Sequence, residues 1–230
     1  MFVHLNTLGD SDIEATSIDG VRYYYPPGAS GPMPSITSVT SFYNRKVFAQ
    51  WRKRVGEEEA NKVTTVATRR GTNFHEVCEQ YLMNVPLSEI DMLPTTKALF
   101  LSAKDKIDNI NNIHALEKAL YSNYLGIAGR VDCIAEYDGE LAIIDFKTSK
   151  KPKPEKWIEQ YFVQETAYAC MYYEMTGTPV KKIVTIMATE NGECVVYEKR
   201  NKGEYIKLLT KYIKEFVTYK LGEYLSLIHI

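Results

Sequence analysis

The spacing of apolar residues divides the chain into a helical first half and a second half in which strands and helices alternate. Between residues 36 and 113 apolar side chains recur every three or four positions, which predicts helices over most of that range. Residues 115–123, 126–137 and 140–147 are shorter runs, rich in apolar and β-branched residues and bounded by Gly or Asp. Such runs indicate three consecutive strands.

Helical spacing returns from residue 157 to residue 176 and stops at a Gly-Thr-Pro sequence, a common end for a helix. Two more strand patterns, 180–188 and 193–199, are joined by Asn-Gly, a favoured hairpin turn. A last helix is predicted over residues 203–220. This order predicts an α/β (α+β) fold, with a small mixed central sheet flanked by helices and a helical N-terminal half.

The expected domain organisation follows from these elements. Residues 1–35 are rich in Pro and Gly, so we expect a loop-rich lead-in with one short hairpin at Asp19-Gly20. Residues 36–224 are expected to form a single domain. Its helical part (36–113) is followed by a sheet core (114–200) and the C-terminal helix.

The last six residues, 225–230, are Leu-Ser-Leu-Ile-His-Ile, which the codons CTG TCT CTT ATA CAC ATC encode. That nucleotide sequence resembles a transposon-end adapter used in DNA sequencing libraries. We therefore expect this hexapeptide to be an assembly artefact and leave it out of the functional interpretation. A genuine apolar tail is the alternative.

Composition and charge narrow the class of protein. The chain has 230 residues, of which 45% are apolar and 25% charged, as in an ordinary soluble globular protein rather than a disordered one. Its 28 basic and 29 acidic residues give a net charge of −1, which argues against a general nucleic-acid coat protein. No apolar run reaches the roughly 18 residues of a membrane helix, and the four cysteines form no CxxC pair. We therefore expect a cytoplasmic protein that does not bind membranes.

Basic residues nevertheless concentrate in two segments. Five of the ten residues 45–54 are basic, and residues 147–156 contain five lysines with one opposing glutamate. A solvated surface is the ordinary explanation of such a run. Contact with the phosphates of a nucleic acid is the alternative.

A predicted hairpin brings charged residues of two strands together. Asp138-Gly139 separates two strand patterns, and a two-residue turn there fixes the register. Asp132 is then expected to lie opposite Asp145, and Arg130 opposite Lys147, all on one face. The other face is expected to be core, formed by Val131, Cys133, Ile144 and Phe146.

Two carboxylates on adjacent strands repel each other by about 1 kcal/mol unless something compensates their charge. One explanation is a surface cluster in which Arg130 and Lys147 form ion pairs with Asp132 and Asp145. The other is a divalent-metal site, since Mg²⁺ takes one or two carboxylates together with waters and phosphate oxygens. Such an ion would lower the pKa of a bound water. Spacing alone leaves both explanations open.

Four short motifs follow one another between residues 70 and 168. They are Arg-Gly-Thr-Asn-Phe-His ending at His75, Gly-Arg-Val-Asp ending at Asp132, Asp-Phe-Lys-Thr-Ser starting at Asp145, and Gln164 with Tyr168. In this order they resemble the PD-(D/E)XK nuclease superfamily, in its RecB-like exonuclease branch. Within that branch the chain resembles the mitochondrial genome maintenance exonucleases and their bacteriophage relatives. The resemblance implies a restriction-endonuclease-like core.

The resemblance also implies a role for each matched position. The implied catalytic residues are Asp132, Asp145 and Lys147. The implied metal ligands are His75, Asp132, Asp145 and the backbone carbonyl of Phe146. Contacts with DNA are implied for Arg70, Arg130, Thr148, Ser149, Lys150, Lys151, Gln164 and Tyr168.

Several of these residues have alternative interpretations. Glu79 and Glu117 are candidate accessory carboxylates, although an ordinary place in the sheet is favoured for Glu117. For Gln164 and Tyr168 the alternative is a core tyrosine with a capping amide. Trp157 and Tyr161 are candidates for stacking on single-stranded bases, but a core position is favoured for both.

The implied activity is a Mg²⁺- or Mn²⁺-dependent DNA exonuclease that prefers single strands or flaps and serves DNA recombination, repair or replication. One alternative is a structure-specific endonuclease on the same core, and another is a non-catalytic DNA-binding or recombination-partner module. The expected partners are DNA and a recombination or replication protein. A bacteriophage origin would place the enzyme in the host cytoplasm. No iron–sulfur cluster is expected, because no cysteine precedes Cys78 and none clusters near the C-terminus.

Overall fold

The computed structural model describes residues 1–9 and 12–228, with side chains as far as residue 223. The elements of the N-terminal part are β1 (Ala15–Ile18), β2 (Val21–Tyr24), β3 (Met33–Pro34), α1 (Ile36–Val55), α2 (Glu57–Leu82) and α3 (Pro94–Ile107). Those of the remainder are β4 (Ile110–Ser122), β5 (Ile127–Tyr137), β6 (Glu140–Ser149), α4 (Glu159–Thr176), β7 (Lys182–Thr189), β8 (Cys194–Lys199) and α5 (Gly203–Ile228).

The central sheet has the strand order β4-β5-β6-β7-β8 within the described part of the chain. β6 and β7 run parallel and are connected through a 3-10 turn (Glu155–Trp157) and α4. The other neighbouring strands in this sheet are antiparallel, and β1, β2 and β3 form a separate small antiparallel sheet. The predicted α/β (α+β) class, with a mixed sheet and a helical N-terminal half, is confirmed.

Apolar residues alternate between two cores on opposite faces of the central sheet. In β7, Ile183 and Met187 pack in a core formed with α1, α4 and α5. Val184 and Ile186 pack in a second core formed with α2 and α3. β7 is therefore buried along its whole length, as expected for a strand covered by helices on both faces.

The β5–β6 hairpin confirms the predicted turn and the first part of the predicted register. Asp138 and Gly139 both have positive φ, 51° and 74°, as a two-residue turn of type I′ requires. From that turn the strands pair as expected, as far as Cys133 opposite Ile144.

Beyond that point the two strands separate, so the predicted facing pairs are wrong. No ladder pair joins Asp132 with Asp145 or Arg130 with Lys147. Arg130 pairs instead with Ala119 of β4, on the other side of β5. The register inferred from the turn holds only while both strands stay regular.

An irregularity shared by β4 and β5 accompanies this separation. Glu117 of β4 has a φ of 46°, outside the strand region of backbone space. On β5, Val131 packs in the core with α1, α4 and α5, whereas Cys133 packs in the core with α2 and α3. The predicted common core face for Val131 and Cys133 is therefore wrong, because the strand changes face at Asp132.

The structure at the two ends of the chain can be compared with the predictions made for the N-terminal hairpin and the last helix. The hairpin at Asp19-Gly20 is confirmed, since β1 and β2 pair on either side of it. α5 continues to Ile228, beyond the predicted end at residue 220 and into the hexapeptide 225–230. Residues 229 and 230 lie outside the described residues, so the origin of that hexapeptide stays a prediction. None of the helices that the structure describes could span a membrane.

Candidate active site

Acidic residues of the two central strands meet where β5 leaves β6. Asp132 Oδ2 accepts a hydrogen bond of 2.8 Å from the main-chain N–H of Phe146, so the carboxylate replaces a ladder partner. Asp132 is 8% exposed and Asp145 is 1% exposed. A buried carboxylate needs hydrogen bonds or a nearby positive charge to remain ionised, so the partners of these two groups define the site.

His75, Glu117 and Asp132 form a compact group of possible metal ligands. They come from α2, β4 and β5, and their ligand atoms lie within 4.8 Å of one another. His75 Nδ1 is 3.5 Å from Asp132 Oδ2. One imidazole nitrogen with carboxylate oxygens is a donor set that suits divalent cations. His75 and Asp132 are thus brought together as the resemblance implies, whereas the ordinary sheet position favoured for Glu117 is wrong.

The backbone of Glu117 explains why its carboxylate reaches this group. A φ of 46° is uncommon for a residue with a side chain, and such conformations cluster at functional sites. Burial, followed by the nearby carboxylates of Asp132 and Glu79, raises the pKa of Glu117 to about 8. The raised pKa favours the neutral form of Glu117, and a cation bound beside it would favour the ionised form.

A surface cavity of about 490 Å³ opens onto this group. Its lining includes Glu79 and Arg130 as well as the three candidate ligands. Burial raises the pKa of Glu79 above its ordinary value. Arg130 donates to the main-chain carbonyl of Glu117 and pairs with Asp12. The structure thus places Arg130 at the acidic cavity and not beside Lys147.

Asp145 occupies a different, deeper environment. The Lys147 ammonium pairs with Asp145 Oδ2, and Gln164 Nε2 donates to Asp145 Oδ1 at 3.1 Å. Burial raises the pKa of Asp145 to about 6. Burial opposes the charge of Lys147, but the carboxylates of Asp145 and Asp132 outweigh it and raise the pKa of the ammonium group. Lys147 is accordingly a fixed positive charge beside the candidate ligands.

Tyr168 and Gly129 support this arrangement from α4 and β5. Gln164 Nε2 also contacts the Tyr168 hydroxyl at 3.3 Å, and Tyr168 is 1% exposed. A Cβ atom on Gly129 would lie 2.9 Å from both Tyr168 Cε1 and Ile36 Cγ2, so only glycine fits there. Tyr168 is therefore a core tyrosine, which was the alternative interpretation of this residue. It offers no surface to a DNA strand in this structure.

Some residues predicted to contact phosphates are held by other side chains. Arg70 Nε donates to Thr148 Oγ1 at 3.1 Å, and its guanidinium pairs with Glu190. Ser149 is 5% exposed, and its carbonyl accepts from the Glu190 N–H. Arg70 and Thr148 therefore form one unit at the end of β6, and the Ser149 side chain is buried beneath the surface.

The basic segment after β6 is exposed. Lys150 and Lys151 are exposed and take part in no ion pair among the described residues. Trp157 is 65% exposed, so the core position favoured for it is wrong. Tyr161 is half-buried, with the ammonium of Lys147 5.2 Å from its ring centroid. This surface presents positive charge and one large aromatic ring to solvent.

The sequence analysis missed Glu165, which lies beneath Asp145. It is fully buried, its Oε1 accepts from the Thr185 hydroxyl, and Thr185 pairs with Asp145 across β6 and β7. Oε2 has no hydrogen-bond partner among the described residues. Burial, followed by Asp145, raises the pKa of Glu165 well above its ordinary value. No sequence feature indicated it, because its two neighbours, Gln164 and Thr166, are polar and its burial is evident only in the folded chain.

A mixed α/β sheet that carries carboxylates and a lysine at the ends of its central strands defines the class to which this protein belongs. Residues 91–220 match the family model of the PD-(D/E)XK nuclease superfamily. The match spans more than half of the chain and contains Glu117, Asp132, Asp145 and Lys147, whereas His75 precedes it. The chain belongs to this superfamily of nucleases.

Comparison with known proteins gives more distant relatives. The chain is 32% identical to human (Homo sapiens) mitochondrial genome maintenance exonuclease 1 over 143 residues, 58% of this chain and 40% of that protein. The Mus musculus protein of the same name is 33% identical over 132 residues, 52% and 39% of the two chains. This chain thus spans about two fifths of the length of the curated relatives it matches.

A crystal structure from Eubacterium rectale, described as a "putative exonuclease", has a TM-score of 0.48 and 12% identity. The aligned part covers 67% of this chain and 66% of that one.

Proposed function

We propose that this chain is a divalent-metal-dependent deoxyribonuclease and that it works as an exonuclease. The observation that carries the proposal is the group of His75, Glu117 and Asp132 beside the buried pair of Asp145 and Lys147. Ligands for a hard cation and an adjacent ammonium group are what phosphodiester hydrolysis uses to stabilise developing negative charge. The relatives are named as exonucleases, and this supports cleavage from the ends of a DNA strand.

His75, Glu117 and Asp132 would hold the cation, and Mg²⁺ or Mn²⁺ suits carboxylate oxygens. The fit rests on their donor atoms lying within 4.8 Å of one another and on the burial and neighbouring carboxylates that raise the pKa of Glu117. When bound, such an ion supplies Lewis-acid polarisation and a more acidic water. Asp145 and the Phe146 carbonyl are proposed as further ligands on the resemblance alone, since the Phe146 group in contact with the site is its N–H.

The chain's own residues would orient and stabilise the reacting groups. Because its pKa is raised, Lys147 keeps its proton, so it would orient the attacking water and neutralise charge at the phosphate rather than act as a base. Gln164 would be a positioning residue, since its amide holds the Asp145 carboxylate. Tyr168 would in turn fix Gln164 from the buried side.

DNA would be held mainly through its phosphates. Lys150 and Lys151 are exposed next to the site, and Arg70, Thr148 and Arg130 flank it, so the affinity should fall as salt rises. The exposed ring of Trp157 is a candidate stacking surface for an unpaired base. A preference for single strands or flaps, and a place in DNA recombination, repair or replication, are proposed from the resemblance.

The test is digestion of end-labelled linear single strands, linear duplexes and single-stranded circles with Mg²⁺ or Mn²⁺. Wild type would be compared with Asp145→Asn and Lys147→Ala. Lys156→Ala is the matched control, since this exposed lysine of the same basic segment has no proposed role. Circular dichroism would establish that every variant is folded.

Metal-dependent loss of the linear strands, with circles intact and both site variants inactive, is the expected result. Cleavage of circles would replace the exonuclease by an endonuclease on the same core. Binding of DNA without cleavage in either metal would overturn the catalytic proposal in favour of a DNA-binding module.

A further inference from the structure

A second cavity lies on the other flank of α2, and its lining contains none of the candidate metal ligands. Its volume is about 600 Å³, and it is enclosed by α2, the start of α3 and the turn between β7 and β8. From α2 it takes Val66, Arg69, Arg70 and Asn73, which recur at helical spacing on one face. The acidic cavity takes residues 71, 72, 75, 76 and 79 of the same helix, so α2 separates the two.

The walls of this second cavity are largely apolar. They include Val66, Leu93, Ala98 and Leu99, of which Val66 is 58% exposed and Leu93 is 49% exposed. Exposure of two large apolar side chains to water at the mouth of a cavity does not stabilise the fold. Such surfaces commonly bind a ligand. Apolar walls that line a cleft of this size suit a flat ring system.

Polar groups at the rim of this cavity are suited to bind the polar edge of a base and a phosphate group. The Asn73 side chain makes no hydrogen bond among the described residues, and an amide offers a donor and an acceptor to a base edge. Arg69 is exposed and forms no ion pair within the described part of the chain. Glu190, the acidic residue of the lining, is neutralised by Arg70. The rim therefore carries net positive charge, which favours a phosphate-bearing ligand.

Arg70 connects this cavity with the candidate active site. Its guanidinium lines the cavity, and its Nε donates to Thr148, the residue after Lys147. Thr189, at the end of β7, also lines the cavity. The cavity thus lies at the carboxyl ends of the parallel strands β6 and β7, the edge at which open α/β sheets bind ligands.

We propose that this cavity binds one nucleobase of the DNA strand whose phosphate is held at the candidate active site. Val66, Leu93 and Leu99 would contact the faces of the base, and Asn73 would contact its edge. The site would position the strand for cleavage and give the enzyme a base preference. The inference rests on the proposed nuclease function for the identity of its ligand.

Two substitutions on α3 distinguish binding in the cavity from binding at the neighbouring surface. Ala98→Phe places a ring where the base would lie, and Lys97→Phe adds the same ring one position away, outside the lining. Both would be made in the Asp145→Asn background, so that binding is measured without turnover. The probes are the four deoxynucleoside 5′-monophosphates, inorganic phosphate, and short single strands with one abasic position moved along the chain.

We expect calorimetry to show nucleotide binding that Ala98→Phe weakens roughly tenfold or more, the scale of one lost stacked base, and that Lys97→Phe leaves unchanged. One abasic position should reproduce the loss. Asn73→Ala, a conservative change at a half-buried position, should alter the ranking of the four bases and serves as the second variant if Ala98→Phe fails to fold.

Equal binding by Ala98→Phe and Lys97→Phe, or no effect of any abasic position, would overturn the proposal. Binding of phosphate as tight as that of the nucleotides would also overturn it, since the base would then contribute nothing. If DNA is cleaved and the cavity variants bind normally, the cavity proposal fails alone. If nucleotides bind in the cavity and no DNA is cleaved in either metal, the nuclease proposal fails alone.

Discussion

The Asp132 carboxylate and the Phe146 main chain share a hydrogen bond of 2.8 Å at the point where β5 and β6 part. The same oxygen, Oδ2, lies 3.5 Å from His75 Nδ1. One carboxylate thus anchors β6 immediately before Lys147 and also belongs to the candidate cation site. Asp132 therefore contributes both to the stability of the fold, through its hydrogen bond, and to the candidate cation site, through its charge. Substitutions can separate these two contributions.

Asp132→Asn keeps an oxygen that can accept from the Phe146 N–H but removes the charge, whereas Asp132→Ala removes both. We expect the alanine variant to lose about 1–3 kcal/mol in free energy of unfolding, because a buried N–H is left unpaired. The asparagine variant should remain close to wild type. Both should lose metal-dependent DNA cleavage. Urea unfolding followed by circular dichroism measures the difference, and equal stabilities of the two variants would contradict it.

Gly129 is required by its neighbours rather than by its backbone conformation. Since an added Cβ would lie 2.9 Å from Tyr168 Cε1 and from Ile36 Cγ2, Gly129→Ala should destabilise the protein by about 1–3 kcal/mol, as overpacking does. Gly71→Ala is the control, because nothing lies within 4 Å of its added methyl group. In mid-helix that change should raise the stability by up to about 1 kcal/mol. Thermal unfolding that ranks the two variants the other way would refute the packing explanation.

Most of the fold could be predicted from the sequence because local patterns determine it. The helical and alternating periods located the elements of the central sheet, and Asp138-Gly139 fixed the hairpin turn. The pairing predicted beyond Cys133 failed, because counting from a turn assumes regular strands. The φ of 46° at Glu117 depends on tertiary contacts that no local pattern encodes.

The candidate site was predicted less completely than the fold. The sequence motifs indicated His75 and Asp132, which the structure brings together with Glu117, a residue that no motif singled out. Glu165 was missed because the sequence does not show that the side chain next to Gln164 points inward. Burial of a single charged residue on a helix is decided by packing, and the buried position of Glu165 beside Thr185 is evident only in the folded chain.

The buried carboxyl of Glu165 predicts how stability depends on pH. Its pKa in the folded protein is raised well above 4.5 by burial, whereas the unfolded chain titrates near the ordinary value. Above that value the unfolded state releases a proton that the folded state keeps, so this group lowers the stability as pH rises. The slope is limited to about 1.4 kcal/mol per pH unit and ends at the folded pKa.

Glu165→Gln removes this titration while keeping a neutral group of the same shape. We expect the variant to match wild type near pH 4 and to become progressively more stable than wild type as pH increases. Glu14→Gln, an exposed change, should leave the pH dependence unaltered. Urea midpoints across the pH range measure the effect. A constant difference between Glu165→Gln and wild type would show that Glu165 is ionised in the folded protein.

Divalent cations should stabilise the folded chain if His75, Glu117 and Asp132 bind them. Binding to the native state adds about 2.7 kcal/mol when the free ion is at a hundred times its dissociation constant, so Mg²⁺ or Mn²⁺ should raise Tm and a chelator should reverse the shift. His75→Ala and Glu117→Gln should each reduce the shift, because each removes a ligand. Glu76→Gln is the matched control, an exposed carboxylate that lines the same cavity but lies outside the group. A shift that Glu76→Gln abolishes and Glu117→Gln preserves would move the cation site away from these three residues.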